Sequence, residues 1–139
     1  MKINKIKSQI KNVKFGKNVT IIEPVNLYGC KIGDNCFIGP FVEIQEKVII
    51  GNNTRVQSHS FICSNVKIGN KCFIGHGVKF VNDKFHNNKL LKNKFLKTTI
   101  GDKVLIGSNS TILPVLIENE VTIGAGSVVT KKCKKKLIY

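Results

Sequence analysis

Large apolar residues recur along this chain with a period of six residues. Nine consecutive positions from Ile32 to Phe80 keep this spacing. The full series is Phe15, Ile21, Leu27, Ile32, Ile38, Ile44, Ile50, Val56, Ile62, Ile68, Ile74, Phe80, Ile100, Ile106, Ile112, Ile117, Ile123 and Val129, with five-residue steps before Ile32 and before Ile117. A period of six does not match the 3.6-residue repeat of an amphipathic helix, so the pattern favours short strands.

A second series supports the same register. Two residues before each of the eighteen large residues stands Val, Cys, Thr or Ser. Alternate residues of a strand point to opposite faces, so the large and the small residue of each unit enter the same interior. Gly follows nine of the eighteen large residues, where the chain has to turn. Each unit therefore predicts one short strand and one corner.

Three units predict one triangular turn of chain, and successive turns stack at ~4.8 Å through backbone hydrogen bonds. The eighteen positions then correspond to about six turns. We expect an all-β fold, a parallel β-helix of about six triangular coils, in a single domain over residues 1–139. The repeat region runs from about residue 13 to residue 130, and a Lys-rich tail covers 131–139.

The repeat breaks once, between Phe80 and Ile100. Twenty residues separate these two positions, where the period allows six. This excess predicts one extended loop near residues 86–97, pushed out of the coil. Loops on a rigid scaffold are where binding and catalytic sites are often built, although a tolerated insertion without function is the alternative.

The charge of the chain points to anionic ligands. The sequence has 23 Lys and Arg against 8 Asp and Glu, a formal net charge of +15, and Arg55 is its one arginine. Proteins that bind nucleic acid rely on Arg forks and stacking aromatic rings, and aromatic residues make up only 7% of this chain. We expect anionic small molecules and no nucleic acid, with solvated lysines of no function as the alternative.

The cellular setting follows from apolar runs and cysteines. No apolar run approaches the ~18 residues that span a bilayer, and the N-terminal residues lack the apolar core of a signal peptide. An odd count of five cysteines suits a reducing compartment, so we expect a cytoplasmic protein without membrane insertion. Cys30, Cys36 and Cys72 occupy the small inward positions, whereas Cys63 and Cys133 fall outside them.

One edge of the predicted coil combines two histidines with bare main chain. Counting by 18, the outward residues of this edge are Pro40, Phe41, Ser58, His59, His76, Gly77, Ser108, Asn109, Ala125 and Gly126. His59 and His76 then lie on adjacent coils, and the small residues beyond them form a groove for a thin, extended ligand. Surface histidines without function are the alternative. A γ-type zinc carbonic anhydrase needs three His ligands, and His59, His76 and His86 do not supply its close His pair, so we expect no metal.

Other polar residues are candidates for binding. Asn82 and Asp83 stand at the mouth of the predicted loop, where turn formation is the alternative. Glu43 and Gln45 flank Ile44 and point outward. The alternative to a binding role is that they only form part of a charged outer surface. Lys131 begins a run of tail lysines that could act as point charges for phosphates.

Four segments resemble one family of enzymes. IGDNCFIGPFVEIQ, VQSHSFICSNVKIGNKCFIGHGVKFVND, IGSNSTILPV and IGAGSVVTK resemble the nucleotide-sugar N-acetyltransferases, such as UDP-2-acetamido-3-amino-2,3-dideoxyglucuronate acetyltransferases. The resemblance covers roughly Leu27 to Lys131. Its more specific part runs from Val56 to Asp83, where VNDKF leads into the predicted loop.

The resemblance implies a left-handed β-helix that forms a homotrimer with active sites between neighbouring copies. It implies acetyl-CoA lying along the coils, a UDP- or dTDP-linked amino sugar nearer the N-terminal coils, and a role in surface polysaccharide or glycan biosynthesis. Which sugar and which nucleotide are left open, and so is whether a histidine or the departing sulfur takes the proton. A non-catalytic β-helix scaffold is the other possibility.

Residue roles follow from the same resemblance. It implies that Asn82 holds the sugar amine, that Glu43, Gln45, His59 and His76 belong to the sugar end, and that Gly107, Ser108 and Ala125 meet the pantetheine. The chemistry of the side chains makes His76 and His59 candidate bases, and adds Asp83 for the substrate and Lys131 for the cofactor.

Overall fold

The structure, a computed structural model, describes residues 1–85 and 96–139. Most of the predicted loop near 86–97, and His86 with it, lies outside these residues. Within these described residues, nineteen short parallel strands form three sheets, which we call faces A, B and C. Face A holds β1 (Ile10–Lys11), β4 (Asn26–Tyr28), β7 (Glu43–Ile44), β10 (Phe61–Ile62), β13 (Lys79–Phe80), β16 (Thr111–Ile112) and β19 (Val128–Val129).

The other two faces have six strands each. Face B holds β2 (Lys14–Phe15), β5 (Lys31–Ile32), β8 (Ile49–Ile50), β11 (Val66–Ile68), β14 (Thr98–Ile100) and β17 (Leu116–Ile117). Face C holds β3 (Thr20–Ile21), β6 (Phe37–Ile38), β9 (Arg55–Val56), β12 (Phe73–Ile74), β15 (Leu105–Ile106) and β18 (Thr122–Ile123). The chain visits A, B and C in turn, so the predicted parallel β-helix of about six turns is confirmed.

Both predicted inward series form one core. From Leu27 to Val129 every large residue of the series is buried, whereas Phe15 of the first turn is 41% exposed. Several small inward residues are polar because they bond the neighbouring turn. Thr54 Oγ1 donates to the Gly69 carbonyl at 2.9 Å, and Ser60 Oγ donates to the Gly75 carbonyl at 2.8 Å. The interior is therefore apolar at its centre and hydrogen-bonded near the corners.

The corner between faces B and C carries a ladder of side-chain hydrogen bonds. On successive turns the backbone N–H of one corner residue donates to the side-chain oxygen of the next, at 2.7–2.8 Å. The accepting side chains are Asp34, Asn52, Asn70, Asp102 and Asn119. These bonds satisfy backbone donors that the strand ladders leave unpaired at the corner.

The tail residues 131–139 lie against the last turn. Cys133 is buried and forms a parallel bridge with Ile117, so it extends the large inward series on face B. Ile138 forms a parallel bridge with Thr122, and the Tyr139 N–H donates to the Thr122 carbonyl at 2.8 Å. Cys63 is also buried, although it falls outside the small inward positions. The described residues contain no helix that could cross a membrane.

Candidate functional site

The outer side of face A carries a cavity that we call the face-A cavity. It has a volume of about 350 Å³. Its lining residues are Gln45, Phe61, Cys63, Lys79, Phe80, Val81, Asn82, Asp83 and Phe85. Asn82 and Asp83 reach it because β13 ends at Phe80 and the chain turns there. The structure therefore brings three of the predicted polar residues, Gln45, Asn82 and Asp83, to one cavity.

The side-chain amide of Asn82 has a defined orientation. Its Nδ2 group donates to Ser64 Oγ at 3.0 Å and to the Ser64 carbonyl at 3.4 Å. Ser64 is buried and stands one turn before Asn82. A carbonyl can only accept, so Nδ2 faces Ser64 and the acceptor atom Oδ1 faces away from it. Asn82 is thus arranged to accept a hydrogen bond from a ligand in the cavity.

Glu43 and Gln45 hold each other and support Ser64. Gln45 Nε2 donates to Glu43 Oε2 at 3.0 Å, and Gln45 Oε1 accepts from the Ser64 backbone N–H at 3.2 Å. The second oxygen of Glu43 accepts from Asn26 Nδ2 at 3.0 Å. Because a carboxylate only accepts, it fixes which end of each amide faces it. A continuous polar chain therefore runs from Asn26 to Asn82 across four turns.

The predicted histidine edge is the corner between faces C and A. The His59 N–H donates to the Pro40 carbonyl at 3.1 Å, and the His76 carbonyl accepts from the Asn109 N–H at 2.8 Å. The Gly126 N–H donates to the Ser108 carbonyl at 2.9 Å. These bonds place the predicted residues on one corner in the expected order, with both histidines exposed.

The two histidine rings differ in their surroundings. The His59 ring stacks on the Phe41 ring, with centroids 4.9 Å apart and planes inclined by 29°. The His76 backbone N–H donates to Ser108 Oγ at 3.2 Å. His76 precedes β13 and Asn82 follows it, so the histidine and the amide lie at opposite edges of face A.

The upper part of this corner is lined by very small residues. A Cβ atom added to Gly107 would collide with the backbone N of Ala125, so this position requires glycine. A Cβ added to Gly126, where φ is +70°, would meet no atom within 4 Å and points into open space. Ala125 is exposed and Ser108 is half-buried. Exposed main chain at this corner suits an extended amide-containing chain such as pantetheine.

Lys79 connects the corner to the cavity. Its Nζ group donates to the His59 carbonyl at 2.7 Å and to the Gly77 carbonyl at 3.3 Å, and the side chain also lines the face-A cavity. The ammonium group therefore lies at the histidine corner, while the rest of the side chain reaches the cavity that Asn82 lines.

Lys131 is not brought to this corner. It follows β19 at the opposite edge of face A and lines a separate cavity of about 340 Å³ with Val128, Lys132 and Tyr139. Within residues 1–85 and 96–139, no three His, Cys, Asp or Glu side chains are grouped closely enough to hold a metal ion.

Burial makes the thiols unreactive in the folded chain. All five cysteines are buried, and burial raises the pKa of Cys63 to about 12 and that of Cys30 to about 11. The thiolate is the reactive form, so at pH 8 a group with the Cys63 pKa is roughly one part in ten thousand thiolate. We expect an aromatic disulfide reagent to titrate no thiol in the native protein at pH 8, and all five after unfolding in guanidinium. Rapid native-state labelling of any one thiol would contradict this burial.

Three residues of the site were not among the predicted ones. Ser64 stands 18 residues before Asn82, so the register places them together. Phe41 stands 18 residues before His59 on the same corner, and their stacking follows from side-chain conformations that the repeat does not determine. Lys79 is one of many lysines, and only the fold distinguishes it.

Comparisons with known proteins agree with this fold. A model of the bacterial transferase hexapeptide matches residues 29–64, and a model of the hexapeptide repeat of succinyl-transferase matches residues 97–131. Together the two matches cover just over half of the 139 residues.

Curated relatives include bifunctional proteins named GlmU. The protein from Clostridium novyi is 40% identical over 126 residues, which cover 86% of this chain and 25% of the relative. The protein from Picosynechococcus sp. is 36% identical over 126 residues, covering 89% of this chain and 26% of the relative. This chain thus spans about a quarter of these curated relatives.

Solved structures give a fuller match. A mutant of AntD, an N-acyltransferase from Bacillus cereus in complex with dTDP and Coenzyme A, superposes with a TM-score of 0.81 at 25% identity, covering 91% of this chain and 77% of that one. A mutant of GDP-perosamine N-acetyltransferase from Caulobacter crescentus, in complex with CoA and GDP-perosamine, has a TM-score of 0.64 at 16% identity, covering 94% of this chain and 53% of that one. The second likeness concerns the fold alone.

Proposed function

Because the chain belongs to the hexapeptide-repeat transferase family, we propose that it transfers the acetyl group of acetyl-CoA to the amino group of a nucleotide-linked amino sugar. The observation that carries this proposal is the Asn82 amide, whose Nδ2 is held by Ser64 so that Oδ1 faces the cavity as an acceptor. An amine is a hydrogen-bond donor and matches that acceptor. The similarity to AntD, an N-acyltransferase crystallised with dTDP and Coenzyme A, supports the same class of substrates.

The chain's own residues have defined tasks in this reaction. Asn82 Oδ1 orients the sugar amine, and holding a nucleophile in attack geometry removes a large part of the barrier. Glu43 does not line the face-A cavity, and each of its oxygens accepts from an amide donor. Its proposed task is to hold Gln45 at the sugar end. Gln45 supports Ser64, and Asp83 lines the sugar end of the cavity.

The cofactor end is proposed at the corner between faces C and A. Acetyl-CoA supplies the thioester. Gly107, Ser108 and Ala125 present small side chains and main chain to the pantetheine, whereas Lys131 lies at the opposite edge of face A and does not contribute to this corner of the same chain. In the transfer the amine nitrogen bonds to the acetyl carbon, the carbon–sulfur bond breaks, and the proton lost by the nitrogen passes through a base to the leaving CoA sulfur. We assign His76 as the base that accepts this proton, because the ring of the other candidate, His59, is stacked on Phe41.

The position of these groups supports an active site shared between copies, as in the homotrimer that the family resemblance implies. His76 and Asn82 lie on opposite edges of face A in one chain. A neighbouring copy whose corner adjoins the Asn82 edge of the first brings the two ends together. We propose that each active site forms in this way between two copies. The small-molecule partners are then a UDP- or dTDP-linked amino sugar and CoA, and the product serves surface polysaccharide or glycan synthesis in the cytoplasm.

A substrate panel tests the proposed activity. The protein is mixed with acetyl-CoA and UDP- or dTDP-linked sugars that carry the amine at carbon 3 or carbon 4, and thiol release is followed. The matched control is the same nucleotide sugar with a hydroxyl in place of the amine. We expect turnover with at least one amine and none with its hydroxyl partner. No thiol release across the amine panel, from a protein that still binds CoA, would contradict amine acetylation and favour a non-catalytic scaffold.

A further inference from the structure

Phe41 combines exposure with an unfavourable backbone conformation. Its side chain is 57% exposed, and its φ is +62°. Bulky residues rarely adopt this left-handed conformation, which the corners of this coil also impose on Lys47, His59 and Lys71. The equivalent corner positions of later turns are occupied by His59, Gly77, Asn109 and Gly126. A large apolar ring at the first of these positions is therefore not explained by the corner or by the core.

Phe41 and His59 form a platform of two aromatic rings. The rings stack on consecutive turns with centroids 4.9 Å apart, and both side chains are exposed. Beside them lies a cavity of about 270 Å³, which we call the lower cavity. Its lining residues are Ser8, Pro24, Val25, Asn26, Phe41, Val42 and Glu43. The platform therefore borders a space that a single flat ring can enter.

The lower cavity and the face-A cavity belong to one surface. Glu43 lines the first and Gln45 lines the second, and their side chains are hydrogen-bonded to each other at 3.0 Å. Phe41 and Asn82 are two turns apart, roughly 10 Å along the stack, and lie at opposite edges of face A. Lys79 places its ammonium group at the His59 carbonyl, beside the platform, and its side chain also lines the cavity that Asn82 lines. Face A thus presents an aromatic platform, a positive charge and an amide acceptor in that order.

We propose that the Phe41–His59 platform binds the base of the nucleotide sugar and that the Lys79 ammonium faces its diphosphate. This inference rests on the proposed function, since a nucleotide-linked amino sugar has a flat base, two phosphates and an amine in the same order. Every base has a π-face, so stacking accepts uracil and thymine alike. His59 is then a binding residue, which leaves His76 as the histidine available for proton transfer.

Calorimetric titration with UDP and dTDP, in the absence of acetyl-CoA, tests the platform. Phe41→Asn removes the ring, and asparagine tolerates a φ of +62°. We expect this variant to bind both nucleotides about tenfold more weakly, because base–aromatic stacking is lost. Its melting temperature should equal or exceed that of the wild type, because the backbone strain is relieved. Phe41→Tyr keeps the ring and should bind like the wild type.

Two controls separate stacking from charge and from general surface effects. Phe73→Ala removes an exposed phenylalanine of face C and should leave nucleotide affinity unchanged. Inorganic pyrophosphate has no base and should bind the wild type and Phe41→Asn equally. If Phe41→Asn binds UDP and dTDP with the same affinities as the wild type, the proposed role of the platform is wrong.

The platform and the proposed activity can fail separately. If Phe41→Asn binds UDP and dTDP normally while the amine panel shows turnover, the platform is wrong and acetyl transfer stands. If the wild type binds neither UDP nor dTDP at millimolar concentration, the platform is also wrong. Acetylation of the same amino sugars without their nucleotide then reports on the transfer reaction alone.

Discussion

Replacing Asn82 by alanine lowers kcat/KM for acetyl transfer by about 10²-fold, the usual effect of removing one hydrogen-bonding group at a reacting centre. The fold is unchanged, since Asn82 follows β13 and its side chain is not part of the buried core. The expected loss is in the chemical step, because Oδ1 holds the amine in attack geometry. Steady-state kinetics with the most active amine of the panel measure the loss in kcat/KM. Circular dichroism checks that the fold is unchanged.

Two further variants sharpen this test. Ser64→Ala removes the hydroxyl that accepts from Asn82 Nδ2 at 3.0 Å and leaves the Ser64 carbonyl in place. Asn82 is then less well oriented, so we expect a smaller loss, mainly in kcat. Asn53→Gly, at an exposed corner away from face A, should leave kcat/KM unchanged. If Asn82→Ala keeps the wild-type kcat/KM, the Asn82 amide has no role in the mechanism.

Substituting Ile50 by alanine destabilises the protein by about 2–5 kcal/mol, the range for deleting a buried large aliphatic side chain. Ile50 is 1% exposed and lies in the middle of the inward series. Its neighbour Ile49 has the same side chain and is 44% exposed on face B. Ile49→Ala is therefore the matched control and should change the free energy of unfolding by less than about 0.5 kcal/mol.

Guanidinium unfolding of both variants measures the difference between adjacent isoleucines. Because successive residues of a strand face opposite sides, a register error of one residue would exchange the two results. Equal destabilisation by both substitutions would mean that face B is covered in solution, as in an assembly that buries Ile49.

The fold was predictable because one packing constraint repeats. Each turn needs a large and a small inward residue per face, so the period is written into the sequence many times. The same register placed His59 and His76 on one corner, and the structure confirms that placement through backbone bonds to Pro40 and from Asn109. Positions along a regular coil therefore follow from counting.

Side-chain partners were less predictable. Glu43 and Gln45 were expected to point outward, and the structure finds them half-buried and bonded to each other. Their pairing depends on side-chain conformations and on Ser64, whose hydrogen bonds the repeat does not specify. Cys133 was expected to fall outside the small inward positions, and its bridge with Ile117 brings it into the core as a large inward residue.

The strand pairing across the insertion has a consequence for how this enzyme class can diversify. β11 pairs with β14 at Val66↔Thr98 and Ile68↔Ile100, and the corner ladder passes directly from Asn70 to Asp102. The described strands before and after the insertion thus pair directly with each other. We therefore expect the length of the inserted segment to vary between relatives without changing the pairing of β11 with β14.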